Sequence, residues 1–160
     1  SWAACLYARA GKGEEAVRQL NIFQKNFCLP NTFHANGDQH GGQYSKFTYR
    51  PFTLEGNLAY AQGIHELLIQ SHQGYIKLFP AIPETWNNLS FENLRTEGAF
   101  LVSAEMKDGK IIRIKIESTT NAELNIILPS IMINSANQKT ITGKYSRFMR
   151  AGEILLFEDF

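Results

Sequence analysis

The spacing of apolar residues changes near Gly74, and this change constrains the fold more than any other feature of the sequence. Up to that point the period is helical. Trp2, Cys5, Leu6 and Arg9 read as one face of a short helix that stops at the glycines of "GKG", Gly11 to Gly13. Ala16, Leu20, Phe23 and Phe27 follow at steps of four, three and four, marking a second helix that ends before Pro30. A third is expected from about Gly56 to Gln73, with Leu58, Ala61, Ile64, Leu67, Leu68 and Ser71 facing inward and Gly74 as its C-terminal cap.

Beyond Gly74 the period is two. "YIKLF" reads as a short strand, "PAIPETW" as a stiff turn, and "GAFLVSAEM", "KIIRIKIES" and "AELNIIL" as strands. Asp108-Gly109 supplies the positive φ values of a two-residue hairpin turn. On the strand after it, Ile112, Ile114 and Ile116 are expected to face the core, and Arg113, Lys115 and Glu117 the solvent. Further strands are expected around Lys139–Tyr145 and Glu153–Phe157. The implied class is α+β: a helical part over residues 1–74, then an antiparallel, sandwich-like β domain over 75–160.

Composition narrows the function. With 44% hydrophobic and 19% charged residues the chain can build a core, and a net charge of +1 without a basic run gives no footprint for nucleic acid. No apolar run approaches the roughly 18 residues that span a membrane. Cys5 and Cys28 are too few for a disulfide framework and form no CxxC, so both are read as buried free thiols. The chain starts inside a helical pattern without an initiator Met, as expected of a piece of a longer protein.

The segment Leu29–Pro51, between the second and third helices, is long for a loop without structure of its own. It carries Asn31, His34, Asn36, Asp38, His40, Tyr44, Tyr49 and Arg50, a composition suited to a sugar pocket in which polar groups read hydroxyls and rings stack on a pyranose, or to a solvated connector with ordinary turn residues. It feeds into "FTLEGN", which sets Glu55, Gly56 and Asn57 at the mouth of a helix. Glu55 has two readings: a first-turn carboxylate favoured by the helix dipole, or an acid or base in a site. A glycosidase needs a second carboxylate, and none stands out. His65-Glu66 lacks the second histidine of H-E-x-x-H, because Ile69 occupies that place, so the two read as a pair on the helix surface. His72 reads as a cation near the helix C-terminus. Asp38 and His40 make a weak D-x-H pattern, and no metal or other cofactor is expected. Trp86 reads as packing between domains in preference to a platform for sugar stacking, and Asn88-Leu89-Ser90 is a formal glycosylation sequon.

Taken in order, "SWAACLYARAGKGEEA", "FTLEGNLAYAQGIHELLIQSHQGYIKLFPAIPETW" and "NLRTEGAFLVSAEMKDGKI" resemble the C-terminal part of glycoside hydrolase family 95, whose best-known members are bacterial α-L-fucosidases. The resemblance implies that residues 1–74 are the last helices of an (α/α)6 catalytic barrel and 75–160 a C-terminal β domain. It implies an inverting exo-glycosidase as the parent, acting on terminal α-L-fucose or α-L-galactose of complex glycans, with this fragment inactive alone. Glu55 matches the aspartate of the family's Q-x-D-G-N, which supports the base side of the reaction, and Thr53 stands where Gln is usual. Asn57, His34 and Asn36 would then shape the sugar site. The general acid and water-holding asparagines would lie outside the matched part. The implied partners are an oligosaccharide or polysaccharide and the rest of the barrel, in the periplasm or outside the cell. The alternative is a non-catalytic carbohydrate-binding or scaffold domain of the same architecture.

Overall fold

Ala4 and Ala8, one helical turn apart, are the fully buried residues of the first helix, α1 (Trp2–Arg9). Their small side chains let α1 lie close to α2 (Gly13–Phe27), across the turn Ala10–Lys12. In α2 three residues of the expected stripe are buried, Ala16, Leu20 and Phe23, each at most 6% exposed, while Phe27 at the helix end is half-buried. In α1 the expected face is not the buried one. Trp2 and Leu6 are exposed, because the alanine seam rather than the larger residues meets the neighbouring helix. The computed structural model describes residues 1–47 and 50–159; Tyr49, one of the loop aromatics, lies outside the described residues.

The third helix, α3 (Leu54–Leu68), departs from expectation in both its face and its end. Gly63, Glu66 and Leu67 are its buried residues, whereas Leu58 and Ala61 are exposed. The cause is close approach. A Cβ on Gly63 would sit 2.9 Å from Leu20 Cδ2 and 3.3 Å from Ala4 Cβ, so the glycine side is where the three helices meet. Gly13 performs the same service at the start of α2, where a Cβ would lie 2.2 Å from the carbonyl oxygen of Ala81 in the "PAIP" turn. Two compact units result, Ser1–Leu67 with Pro80–Pro83, and Leu68–Phe79 with Glu84–Phe160.

α3 stops at Leu68 because the next two residues enter a sheet. β1 (Ile69–Gln70) pairs antiparallel with β2 (Ile76–Leu78), and Gly74 serves the turn between them at φ 79° rather than capping a helix. His72 therefore lies beyond the helix end and does not cap it. The remaining strands are β3 (Leu89–Arg95), β4 (Phe100–Lys107), β5 (Lys110–Ser118), β6 (Ala122–Asn134), β7 (Lys139–Met149) and β8 (Ile154–Asp159). They join one eight-stranded sheet of order β1-β2-β6-β8-β5-β4-β3, with β7 along the other side of β6. One pairing is parallel, β2 with β6, in a domain expected to be antiparallel throughout.

Asp108 and Gly109 take φ 50° and 76° at the tip of the β4–β5 hairpin, as the turn requires. Gly109 N–H donates to Asn87 O and Asp108 N–H to Asn88 Oδ1, so the sequon asparagine holds a turn. A register shift beside it pairs Glu105 with Arg113 but Met106 with Ile111, leaving Ile112 as the extra residue. Ile111 instead of Ile112 accordingly joins Ile114 and Ile116 in the core. Their neighbours there include Phe100, Val102, Leu124, Leu128, Met132, Leu155 and Phe157, each at most 2% exposed.

β6 changes partner along its length. Ile126 and Ile127 pair with β2, whereas Met132 to Asn134 pair with β8. Between them, at Pro129–Ile131, the ladder to β7 breaks register. Proline has no N–H to give a ladder, so it sits where the strand leaves one neighbour for another.

Candidate functional site

The segment Cys28–Thr53 is tied down at its ends. Isolated bridges join Cys28 to His34 and Ala35 to Phe52, and Thr53 N–H donates to His34 O at 3.3 Å. Ala35 is fully buried and His34 half-buried, while Phe33 and Phe52 are 47% and 50% exposed, stacked at 4.6 Å between centroids.

The His34 ring is packed into this support. It stacks on Phe23 of α2 at 4.9 Å, and Phe23 in turn stacks on Tyr60 of α3 at 5.6 Å. Its Nδ1 lies 3.2 Å from Thr53 O and also contacts Thr53 Oγ1. Gly56 makes room for the ring, since a Cβ there would stand 2.4 Å from Nδ1. Asn57 completes the clamp, accepting the His34 backbone N–H at 2.8 Å and donating to Thr32 O at 2.9 Å.

"LEGN" thus has a physical explanation at three of its positions. Gly56 admits a ring, Asn57 fastens the loop, and Glu55 remains exposed in the first turn of α3, where the helix dipole favours a carboxylate. Among the described residues the Glu55 carboxylate makes no hydrogen bond or ion pair. His34, Asn57 and the start of α3 are brought together. Asn36 is exposed two residues further along, its N–H donated to Pro51 O at 3.2 Å.

Asp38 and His40 belong to a turn. Asp38, 2% exposed, accepts the N–H groups of His40 at 2.8 Å and Tyr44 at 3.0 Å. Those donors, Tyr44 first, hold its carboxyl below the ordinary value of 3.8. No cluster of three or more metal-ligating side chains occurs among the described residues. Cys5 and Cys28 are free and half-buried, with thiols pushed up chiefly by burial.

The spacing argument missed Glu66. It is 3% exposed, and its Oε1 accepts from Arg9 Nη2 at 2.6 Å, Arg9 Nε at 3.0 Å and Gln62 Nε2 at 3.0 Å. The surface pair expected with His65 is replaced by a link between α1 and α3. One signal was available: Gly56 and Gly63 share a face of the helix, small residues mark close packing, and Glu66 is on that side.

The strand order, the hairpin and the clamp at the start of α3 belong to a chain whose residues 70–155, more than half of it, match the family described as glycoside hydrolase family 95, C-terminal domain. The chain belongs to that family. Among curated proteins it is similar to Alpha-L-fucosidase 2 of Arabidopsis thaliana, 29% identical over 151 residues. That similarity covers 92% of this chain but only 17% of the relative, so the chain spans about a sixth of the plant protein's length.

Proposed function

We propose that this chain is the C-terminal part of a longer, inverting, exo-acting α-L-glycosidase that removes terminal α-L-fucose, or the related α-L-galactose, from complex glycans. In this reading residues 1–74 are the last helices of an (α/α)6 barrel and 75–160 its C-terminal β domain. Glu55 supports the attack of water, and the general acid lies elsewhere in the parent. The observation that carries the proposal is the placement of Glu55: an exposed carboxylate in the first turn of α3, directly beside a loop clamped by its neighbours Gly56 and Asn57. Exposed Trp2, Leu6 and Leu58 suit burial against other helices of the parent. The exposed Phe33–Phe52 pair, with Phe52 three residues before Glu55, offers an apolar shelf to the methyl-bearing face of a deoxy sugar. Asn57 then acts by holding the His34 loop, His34 by filling it out, and Asn36 as a hydrogen-bonding group at its rim. A parent that cuts polysaccharides works in the periplasm or outside the cell.

An inverting glycosidase places its two carboxyl groups roughly 6.5–9.5 Å apart to admit a water. In this reading Glu55 stands on one side of such a site and the other carboxyl belongs to the rest of the parent, so the 160-residue chain is expected not to hydrolyse glycosides alone.

The test uses the full-length parent with aryl α-L-fucoside and aryl α-L-galactoside, following by NMR the anomer first released. The β-anomer establishes inversion and identifies the sugar; the α-anomer, or no turnover by folded protein, rejects the reading. Glu55→Gln is expected to lower kcat by about 10²-fold or more, the span of general acid–base assistance, with little change in KM. An unchanged rate removes Glu55 from the chemistry. The second reading, a carbohydrate-binding scaffold, is favoured by the engagement of Asn57 and the His34 ring in holding the loop. It predicts sugar binding without turnover.

A further inference from the structure

α2 has a second face. Opposite the buried Ala16, Leu20 and Phe23, the exposed residues Glu14, Arg18, Asn21 and Lys25 recur at steps of four, three and four. The loop 38–44 lies along it. Asp38 fastens that loop through the N–H groups of His40 and Tyr44, and Gln39 N–H donates to Asn26 O at 2.7 Å, on the last turn of the helix. Between loop and helix is a groove of about 350 Å³, lined by Tyr44, Arg18, Asn21, Lys25 and Asn26, with Glu14 at one end.

The lining has a definite chemistry. Tyr44 is 46% exposed and borders the groove. Arg18 and Lys25, seven residues apart, stand about 10.5 Å apart along the helix axis. Neither forms an ion pair among the described residues, and Glu14 is the single carboxylate of the lining. The charge is net positive but local, unlike the extended basic surface that nucleic acid needs. An aromatic ring, planar amides and two separated cations together suit a chain of sugars that carries carboxylates.

We propose that the groove between α2 and the loop 38–44 binds an acidic oligosaccharide, with uronate carboxylates at Arg18 and Lys25, a pyranose face against Tyr44 and hydroxyls at Asn21 and Asn26. The guanidinium of Arg18 takes one carboxylate through paired N–H groups, and the ammonium of Lys25 takes the next as a point charge. No step involves Glu55 or bond cleavage, so this site stands or falls apart from the parent's activity.

The experiment is an NMR titration of the 160-residue chain with a trisaccharide of galacturonic acid and, in parallel, a neutral galactose trisaccharide. Wild type is expected to bind the acidic sugar at least tenfold more tightly than the neutral one, with shifts in α2 and residues 38–44. Arg18→Gln with Lys25→Gln is expected to remove at least tenfold of that affinity. Tyr44→Ala weakens both sugars severalfold, whereas Tyr44→Phe stays within about twofold because the ring is kept. The backbone signals of His40 report whether each variant keeps its loop. The proposal is overturned by equal binding of the two sugars, by no binding, or by a double variant that binds as wild type does. Shifts in the groove that follow protein concentration alone also overturn it, since a second copy would then be the occupant.

Discussion

Asp38 shows how one side chain can organise a loop. Its two oxygens collect the N–H groups of His40 and Tyr44, and its carboxyl is held below 3.8. A depressed folded-state pKa gives stability that is fully present above the unfolded value and lost as pH falls through the folded one. The loop is therefore expected to stay fastened from pH 7 to about 4 and to release in stronger acid, below the ordinary carboxylate range. The amide shifts of His40 and Tyr44, followed from pH 6 to pH 2, check this: they should move together, with a midpoint under 3.8. Asp38 attracted notice in the sequence as half of a metal pattern. Its turn-forming role was equally legible, since aspartate accepts from backbone N–H groups two residues on. The burial of Glu66 was legible only through the glycines on its side of the helix, because a charged residue on an otherwise apolar helix is ordinarily a solvated one.

Helix α3 is best understood through its glycines. Gly56 and Gly63, two turns apart on one face, bring His34 against the start of the helix and Ala4 with Leu20 against its second half, closer than any side chain would permit. Gly56→Ala forces a methyl into the His34 ring and should destabilise by about 1–3 kcal/mol, as overpacking does. Urea denaturation measures the loss, and His34→Ala in the same background should recover part of it. The sequence revealed α2 almost completely because its stripe is regular and its polar face is solvated. It overran α3, since Ile69 and Gln70 fit the helical pattern but hydrogen-bond to β2. It omitted β3 because a bulge between Phe91 and Leu94, with Asn93 at φ 54°, spoils the alternation that identifies strands.

For the whole molecule, two compact units each carry their own buried residues. The change of period near Gly74 made both kinds of structure legible. The pairing of β2 with β6 was not, since partners fifty residues apart leave no mark on local spacing. The β unit depends on a few large side chains. Phe157 is fully buried and meets Tyr145 edge to face at 5.4 Å. Phe157→Ala should cost about 3–5 kcal/mol in denaturant unfolding. A loss under about 1 kcal/mol would mean that the cavity collapses without penalty, against the close packing of such cores.

The change of partner in β6 has a consequence for its tolerance of length changes. Its first half is held by β2 and its second by β8, with β7 alongside both. A single residue inserted at Ser130 would leave Leu124, Ile126 and Leu128 where they are. It would turn Met132 and Asn134, now at most 1% exposed, to the opposite face. Two residues would restore their direction but lengthen the crossing between neighbours. Indels in this strand should therefore be borne in pairs or not at all, whereas the turn Ala136–Gln138, exposed and outside the ladder, is free to vary one residue at a time.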